Sequence, residues 1–321
     1  MKRLMMKTPK VSLEQWATFK AVVDAGSFAM AAEQLNKSQS SVSYAIARLN
    51  EQLPQPVLQL EGRRAVLTEE GKALYRRASQ LLQHAEETEE FARMLGEGVE
   101  SEVTLALDVL LDVRAIIPAL DKFSVHYPFT RIRILETSLS GTEEALLEKK
   151  ADIVIGGKVP VGFSGTPVRQ ARMIAVAHPD HPLFRRTTVA NPETDAETNT
   201  DTAMGSNGIT DWELKSWRQI VLRDTGERRE QDAGWLGSEQ RWTVSHFASS
   251  IKILRSGLAF AFLPEDWLEE DLREGRLRKL PLAIGTERVI QLYLMLSSKE
   301  GAGPATRKLA SMLTSCLTAR H

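Results

Sequence analysis

Two short apolar stripes in succession between residues 27 and 53 constrain the fold more than any other feature of the sequence. The first stripe contains two adjacent alanines: Phe28, Ala31, Ala32 and Leu35. The second is spaced 4, 3 and 4: Val42, Ile46, Leu49 and Leu53. Such spacings place side chains on one face of a helix, and small residues let a second helix approach closely. The pattern predicts two short helices that cross tightly after a turn at Asn36 and Lys37.

The ends of these helices can also be read from the sequence. A preceding helix over residues 13–25 is predicted to end at Gly26, because glycine readily takes the left-handed conformation that follows a helix. Ser27 and Ser38 are suited to cap the two helices that follow. Two short helices joined by a tight turn are typical of a helix-turn-helix.

The side of the third helix opposite its apolar stripe is polar. Amide and hydroxyl groups at a helix start can bond base edges in the major groove, and a helix N-terminus attracts phosphate. We therefore predict DNA contacts on this helix from Ser38, Gln39, Ser40, Ser43, Tyr44 and Arg48. A solvated outer face accounts for the same residues when they are considered alone.

A two-stranded wing is predicted to follow this helix. Residues 57–60 and 65–67 have strand character, and residues 61–64 would form the turn between them. Arg63 and Arg64 at its tip would meet phosphates or a minor groove, although a solvated turn explains them equally well. Residues 1–64 carry nine Lys or Arg against five Asp or Glu, whereas the whole chain has a net charge of -1. This excess of positive charge favours a polyanion partner at the front of the chain.

A long amphipathic helix is predicted from Thr68 to about Leu95. Its apolar seam repeats at 4, 3, 4, 3, 4 and 3: Leu74, Ala78, Leu81, Ala85, Thr88, Ala92 and Leu95. A heptad seam needs a covering partner, most simply the same helix of a second subunit, which predicts a homodimer. Packing on the C-terminal domain is the alternative. Gly96 and Gly98 supply a hinge.

Alternating strands and helices from residue 102 onward predict two α/β lobes with a ligand cleft between them. The segment Ser138 to Thr142 combines hydroxyls with a helix start and suits a carboxylate or other anion, although plain helix capping would use the same residues. Asp108 would lie near the mouth of the cleft. The predicted cleft residues are Asp108, Val109, Ser138, Ser140, Gly141, Thr142, Gly156, Gly157, His246 and Phe247.

No motif in the remaining sequence predicts catalysis. His178 and His181 lack further ligands at a recognisable metal spacing, and a turn explains them. Cys316 is the single cysteine of the chain, which excludes an intramolecular disulfide, and it is predicted to be a buried or idle thiol. The polar stretch at about 185–210 is predicted to be a loop insertion. We expect no cofactor or metal, no enzyme activity and no membrane span, and a cytoplasmic location.

The N-terminal segment, and two short stretches nearer the C-terminus, resemble the LysR-type transcriptional regulators. The resemblance is carried by Phe19, Val22, Gly26–Phe28, Ala31, Ala32, Leu35, Ser38–Ser43, Ile46, Leu49, Leu53, Leu58, Arg63, Leu67, Thr68 and Gly71, and by Thr243–Ser245, Gly257, Leu258, Leu263 and Pro264. It implies recognition-helix roles for Gln39, Ser40, Ser43 and Tyr44, a wing arginine at Arg63, and an effector domain like a periplasmic binding protein. Pro54, Leu60 and Asn50 depart from the family pattern.

The predicted fold class is therefore α/β with a helix-rich, winged helix-turn-helix domain at the N-terminus. The predicted ranges are 1–67 for that domain, 68–98 for a linker helix and 99–321 for a two-lobed effector domain. The predicted function is a sequence-specific transcriptional regulator modulated by a small molecule of unknown identity, acting as a homodimer or homotetramer on double-stranded DNA. An architectural DNA-binding protein and an enzyme fused to a DNA-binding module are the alternatives.

Overall fold

The computed structural model describes residues 8–61, 64–185, 208–228, 236–283 and 287–319. The chain forms two compact units, residues 1–97 and 98–321. Each unit has its own apolar core.

The described part of the N-terminal unit, residues 8–61 and 64–97, contains four helices and a two-stranded sheet. The elements are α1 (Leu13–Ala25), α2 (Phe28–Gln34), α3 (Gln39–Gln52), β1 (Leu58–Glu61), β2 (Arg64–Leu67) and α4 (Glu69–Gly96). Gly26 ends α1 with a φ of 70°, and the Ser27 hydroxyl caps α2 by accepting a hydrogen bond from Met30 N. The expected sequence of three helices, a wing and a long helix is therefore confirmed.

The core of this unit lies where the two sequence stripes meet. Phe19 and Val22 of α1, Ala31 and Ala32 of α2, and the α3 residues of the second stripe are buried: Val42, Ile46 and Leu49. Ring edges of Trp16 and Tyr75 contact Phe19 at centroid distances of 6.1 and 6.3 Å. The tight helix crossing is thus filled by one aromatic cluster and two small alanines.

The wing is an antiparallel pair in which Leu58 is opposite Leu67 and Glu61 is opposite Arg64. The predicted four-residue turn was therefore too long, because Glu61 and Arg64 belong to the strands. Arg63, predicted as a DNA contact, lies outside the described residues, and for Arg64 the structure describes only its backbone in β2.

The apolar seam of α4 is buried at its start and exposed further along the helix. Leu74 and Ala78 pack into the core of the N-terminal unit, where Ala78 is 3% exposed. Further along, Leu81 and Leu95 are 44% and 47% exposed, and Thr88 and Ala92 are also exposed. The prediction of one uniform seam was wrong at its start, because the first two positions are covered within the same chain.

The C-terminal unit alternates strands and helices. Its first half contains β3 (Glu102–Asp108), α5 (Ile117–His126), β4 (Arg131–Thr137), α6 (Ser140–Leu147), β5 (Ile153–Gly156) and β6 (Gly165–Ala177). Its second half contains α7 (Asp211–Lys215), β7 (Gln219–Leu222), β8 (Arg241–Val244), α8 (Phe247–Arg255), β9 (Phe260–Pro264), α9 (Glu269–Arg273), β10 (Arg278–Lys279), β11 (Glu287–Leu296) and α10 (Pro304–Thr318).

One mixed sheet runs through this unit in the order β4-β3-β5-β11-β6-β9-β7-β8, and β10 also pairs with β6. The long antiparallel strands β6 and β11 belong to both halves of the sheet, and their register shifts between Leu292 and Tyr293. Residues 174–177, predicted as a complete strand, are only the end of β6.

Of the apolar clusters that lie along this sheet, the two largest belong one to each half of the unit. The first packs α5 and α10 on β3, β5 and β11, and its largest fully buried side chains include Phe123 and Ile116. The second packs α8 on β6, β7 and β9, with Leu254 and Ile174 at its centre. The expected two-lobed α/β arrangement is thus confirmed, with lobe I built on β3, β4 and β5 and lobe II on β7, β8 and β9.

Two predicted boundaries were shifted by residues with positive φ. The helix expected over 142–150 runs instead from Ser140 to Leu147, and Lys149 just beyond it has a φ of 54°. The strand expected over 258–262 begins at Phe260, because Gly257 has a φ of 77° and the chain is still turning there. Residues 186–207 of the predicted insertion lie outside the described residues.

Candidate DNA-binding surface and ligand cleft

The start of α3 is fixed by its own cap. Asn36 takes a φ of 52° in the turn after α2, which directs the chain into α3 within four residues. The Ser38 hydroxyl accepts a hydrogen bond from Ser41 N at 3.2 Å and lies 2.9 Å from the Ser40 hydroxyl. Ser38 therefore caps the helix as predicted from the sequence.

The outer face of α3 is exposed along its whole length. Val42, Ile46 and Leu49 hold the opposite face in the core. The six predicted contact residues on this helix are all exposed: Ser38, Gln39, Ser40, Ser43, Tyr44 and Arg48. Arg48 forms an ion pair with Glu51 at 2.7 Å, and Tyr44 is 68% exposed. The structure thus brings these side chains together on one polar surface.

Two side chains attach the wing to the helices on either side of it. The Asn50 side-chain oxygen accepts a hydrogen bond from Val57 N at 2.9 Å, so this departure from the family pattern anchors the approach to β1. Thr68 caps α4 and donates its hydroxyl to the Pro56 carbonyl at 2.9 Å. A Cβ on Gly71 would lie 2.0 Å from the Val57 carbonyl oxygen, so only glycine fits there.

A polar cluster ties α4 to α1. The Tyr75 hydroxyl of α4 donates a hydrogen bond to Asp24, which also accepts one from Lys20. Burial opposes ionisation of Asp24, but the hydrogen bonds from Lys20 and Tyr75 outweigh it and lower the pKa of this carboxyl. The same hydrogen bond to Asp24 raises the pKa of Tyr75. The long helix is therefore joined to the helix-turn-helix by both apolar and polar contacts.

Asp108, expected near the mouth of the cleft, is buried instead. Its carboxylate accepts hydrogen bonds from Leu110 N at 3.0 Å and from the Thr142 hydroxyl at 3.0 Å, and Thr142 is 2.9 Å from the Thr137 hydroxyl. Burial raises the pKa of Asp108 to about 6, against the effect of these two hydrogen bonds. Asp108 therefore ends β3 as a buried carboxyl beside the start of α6, and its role toward a ligand stays a prediction.

Val109 and Phe247 connect the lobes through the core. Val109 follows β3 of lobe I but packs among the buried residues of lobe II. Trp267 donates its indole N–H to the Val109 carbonyl at 3.1 Å and stands edge-on to Phe247 at 5.9 Å. Both predicted cleft residues are thus buried and contacted within the chain, at 8% and 6% exposure.

The other predicted cleft residues lie around α6 and at the facing edge of lobe II. Ser138, Ser140, Gly141 and Thr142 are brought together with Asp108, and residues 223–228 of lobe II contact them. Gly156 and Gly157 allow close packing: added Cβ atoms would lie 2.6 Å from Thr142 and 2.9 Å from Ile290. His246 is apart from this cluster. Its Nδ1 lies 3.2 Å from a Glu136 carboxylate oxygen in a half-exposed pair.

Sequence reasoning missed the residues that complete this cluster, Glu144 of α6 and three residues of lobe II. Asp224, Thr225 and Glu144 make the hydrogen bonds between the segment 223–228 and α6, and Trp267 bonds the loop after β3. Asp224 also accepts a hydrogen bond from Gly226 N, a local turn that the Asp-x-Gly spacing suggests. Nothing in that spacing indicates a partner more than 80 residues away.

The two histidines weighed for a metal site lie in a turn after β6. His178 Nδ1 accepts a hydrogen bond from Asp180 N, and buried His181 accepts one from Leu183 N and packs edge-on against Trp217. Burial lowers the pKa of His181. Within the described ranges, no group of three or more His, Cys, Asp or Glu side chains has an arrangement that could hold a metal ion. No described helix is long and apolar enough to cross a membrane.

Family comparisons agree with this arrangement of units. Residues 13–72 match the bacterial regulatory helix-turn-helix family of the lysR type, and residues 96–200 and 203–317 match the LysR substrate binding domain. The chain therefore belongs to the LysR family of transcriptional regulators, with a helix-turn-helix DNA-binding domain followed by an effector-binding domain.

Individual relatives align over most of their length. The chain is 29% identical over 280 residues to the probable HTH-type transcriptional regulator YhaJ of Escherichia coli K12. The aligned region covers 85% of this chain and 87% of that protein. The chain is 30% identical over 278 residues to the HTH-type transcriptional regulator CrgA of Neisseria meningitidis serogroup B, with 84% of each chain covered. A solved full-length structure of LysG from Corynebacterium glutamicum covers 96% of this chain and 98% of its own, at 16% identity and a TM-score of 0.49.

Proposed function

We propose that the exposed face of α3 reads DNA sequence in the major groove, and that binding of a small-molecule effector between the lobes of the C-terminal unit alters this binding. Residues 1–67 would form the DNA-binding domain, 68–98 the linker and 99–321 the effector domain. The protein would act on DNA in the cytoplasm without catalysing a reaction.

The observation that carries this proposal is the two-sided character of α3. Its buried face fixes the helix to the core through Val42, Ile46 and Leu49, which leaves its opposite face free to enter a groove. Gln39 is placed in the first turn, where an amide side chain can bond adenine bidentately, and Ser43 lies one turn further on. Arg48, and Arg63 and Arg64 of the wing, are proposed phosphate or minor-groove contacts.

The proposed effector site is the region around α6 and the facing edge of lobe II. Ser138, Ser140, Gly141 and Thr142 supply hydroxyl and amide groups there, and His246 supplies a half-exposed imidazole. Asp108, Val109, Gly156, Gly157 and Phe247 are proposed to shape the site from behind, because they are mostly buried. A ligand that binds one arrangement of the lobes more tightly than another would shift the population between them.

A gel-shift titration tests the DNA-binding proposal. Replacing Gln39→Ala together with Ser43→Ala removes the two proposed base-edge contacts, and we expect about 10- to 100-fold weaker binding to the promoter next to the gene. The matched control is Gln83→Ala, which removes an exposed amide from α4 on the side away from its seam. Unchanged specific binding by the double variant, with the wild-type fold, would remove α3 from the proposed DNA surface.

We also propose a homodimer joined along the exposed part of the α4 seam, pairing further into a tetramer. The large apolar side chains of Leu81 and Leu95 are exposed on the seam face of α4. Such a face favours a second copy of the helix as the partner. Leu81→Glu with Leu95→Glu is expected to lower the mass seen by analytical ultracentrifugation, whereas Gln83→Glu is not. A wild-type protein that is monomeric at micromolar concentration would contradict this assembly.

A further inference from the structure

A segment of lobe II lies directly on a helix of lobe I. Residues 223–228, which follow β7 and which we call the strap, run along the N-terminal half of α6. Ser138 N donates a hydrogen bond to the Thr225 hydroxyl at 2.8 Å, and the Ser138 hydroxyl donates to the Arg223 carbonyl at 2.7 Å. The strap therefore joins lobe II to lobe I by direct hydrogen bonds.

The Asp224 carboxylate occupies the N-terminus of α6. One of its oxygens accepts a hydrogen bond from the Ser140 hydroxyl at 2.7 Å, and the other accepts bonds from Gly141 N at 3.3 Å and Gly226 N at 2.8 Å. These are the hydroxyl and amide donors that the sequence pattern suggested for an anionic ligand. A carboxylate at a helix N-terminus is also favoured by the helix dipole. The anion at this position thus comes from the chain itself.

Two glycines make this approach possible, one on each side of the contact. A Cβ on Gly141 would lie 2.0 Å from the Thr225 hydroxyl oxygen, and a Cβ on Gly226 would lie 1.9 Å from the Ser140 hydroxyl oxygen. Neither glycine has a positive φ, so close packing and not backbone conformation requires glycine here. Helix capping alone would not require a glycine in the strap.

Glu144 provides a second anchor one turn further along α6. Its carboxylate accepts hydrogen bonds from Glu227 N at 2.9 Å and Arg228 N at 3.0 Å, and these two amides lower its pKa. Arg228 also pairs with Glu148 at 2.7 Å. Each lobe thus contributes one carboxylate that accepts hydrogen bonds from the other lobe. Asp224 of lobe II bonds the start of α6, and Glu144 of lobe I bonds the backbone of the strap.

We propose that the strap is a latch that holds the two lobes together, with the Asp224 carboxylate taking the place of a ligand carboxylate at the N-terminus of α6. An anionic group can bind these donors only after Asp224 leaves them, so the latch and such a group exclude each other. The exclusion of a ligand by Asp224 rests on the proposed function, which places an effector between the lobes. The latch itself is a property of the free protein.

Hydrogen exchange of the full-length protein, without DNA or effector, tests the latch. In Asp224→Ala we expect the amides of Gly141 and Gly226 to exchange about tenfold faster or more, because they lose their hydrogen bonds to the Asp224 carboxylate. The amides of Glu227 and Arg228 donate to Glu144, and we expect them to exchange faster as well, because the strap loses one of its two anchors on α6. Amides of the paired strands β3 and β4 should keep their wild-type rates. The matched control is Glu239→Ala, which removes an exposed acid of lobe II whose backbone pairs with Lys215 rather than with α6.

A second variant opens the latch without removing charge. Gly226→Ala places a methyl group against Ser140, and we expect it to accelerate exchange at Gly141, Glu227 and Arg228 as Asp224→Ala does. If Asp224→Ala fails to fold by circular dichroism, Asp224→Asn keeps the size of the side chain and should give a smaller acceleration at the same amides. Wild-type exchange rates at Gly141 and Glu227 in folded Asp224 and Gly226 variants would overturn the latch.

Acetate tests whether Asp224 stands where a ligand carboxylate would bind. In Asp224→Ala we expect acetate to slow hydrogen exchange at the Gly141 amide, with an effect that saturates as the acetate concentration rises. In the wild-type protein the same concentrations should leave the exchange rate of this amide unchanged. Asp224→Ala with Ser140→Ala should lose this response. Failure of acetate to protect Gly141 in Asp224→Ala would overturn the ligand-like role of Asp224. None of these results depends on DNA, so they fail or succeed separately from the gel shift.

Discussion

The outer face of α3 and the surroundings of α6 were both predicted as binding sites from polar residues at a helix start, yet the two differ in what those residues contact. On α3, Gln39, Ser43 and Tyr44 are exposed and the buried stripe lies on the opposite face. Around α6, Ser138 and Ser140 are almost fully buried under the strap.

This difference shows that the same residue types serve two purposes. A polar helix start on the outside of a small domain leaves its hydrogen-bonding groups accessible to solvent, which is what the proposed DNA contact requires. A polar helix start between two lobes must satisfy those groups within the chain, since unpaired buried polar atoms cost free energy. Internal satisfaction makes the α6 region a structural joint as well as a candidate site.

The largest expected effect separates the two faces of α3. Leu49→Ala deletes a fully buried side chain and should lower the free energy of unfolding of the N-terminal unit by about 2 to 5 kcal/mol. Ser40→Ala, on the exposed face, should change it by less than about 0.5 kcal/mol. Denaturant titration followed by circular dichroism measures both. Similar losses from the two variants would break the contrast between a buried and a free face.

A smaller effect is expected from the buried carboxyl behind α6. The pKa of Asp108 is raised from 3.8 to about 6 in the folded protein, so the folded state holds this proton more tightly than the unfolded state. The resulting stabilisation of the fold is fully present below about pH 4 and is lost as the pH rises through 6. Relative to Asp108→Asn, the wild-type protein should lose up to about 3 kcal/mol of unfolding free energy between pH 4 and pH 7. Denaturant midpoints at several pH values measure the difference, with the exposed acid variant Asp211→Asn as the control. A pH-independent difference would show that Asp108 ionises as freely as an exposed acid.

The smallest effect compares two tyrosine hydroxyl groups in the N-terminal unit. Tyr75→Phe removes a hydrogen bond to Asp24, whose side chain is 38% exposed, and should cost less than about 1 kcal/mol. Tyr44→Phe should leave the melting temperature unchanged and weaken DNA binding about three- to tenfold, since the proposed hydrogen bond from its hydroxyl to DNA would be lost. Melting curves and gel shifts on both variants would sharpen the comparison. The reverse pattern would exchange the roles of the two residues.

Local signals accounted for most of the N-terminal unit and for most of the elements of the C-terminal unit. The stripe through Val42, Ile46 and Leu49 and the caps at Ser27 and Ser38 were readable because each depends on residues three or four apart. The shared strands β6 and β11 were only partly recognised, since much of β6 carries polar residues and its pairing with β11 joins residues over 100 positions apart. The strap contacts were missed for the same reason.

The sequence by itself determined the helix-turn-helix, the capped start of α3, the wing strands and the heptad pattern of α4, because these follow from short-range periodicity and local hydrogen bonds. Only the tertiary structure decided which part of the α4 seam is already covered, why Asp108 is buried, and which group meets the donors at the N-terminus of α6. Those outcomes depend on long-range packing, which brings Asp224 to Ser140 across 84 residues of chain. Residue order alone carries no local trace of such a contact.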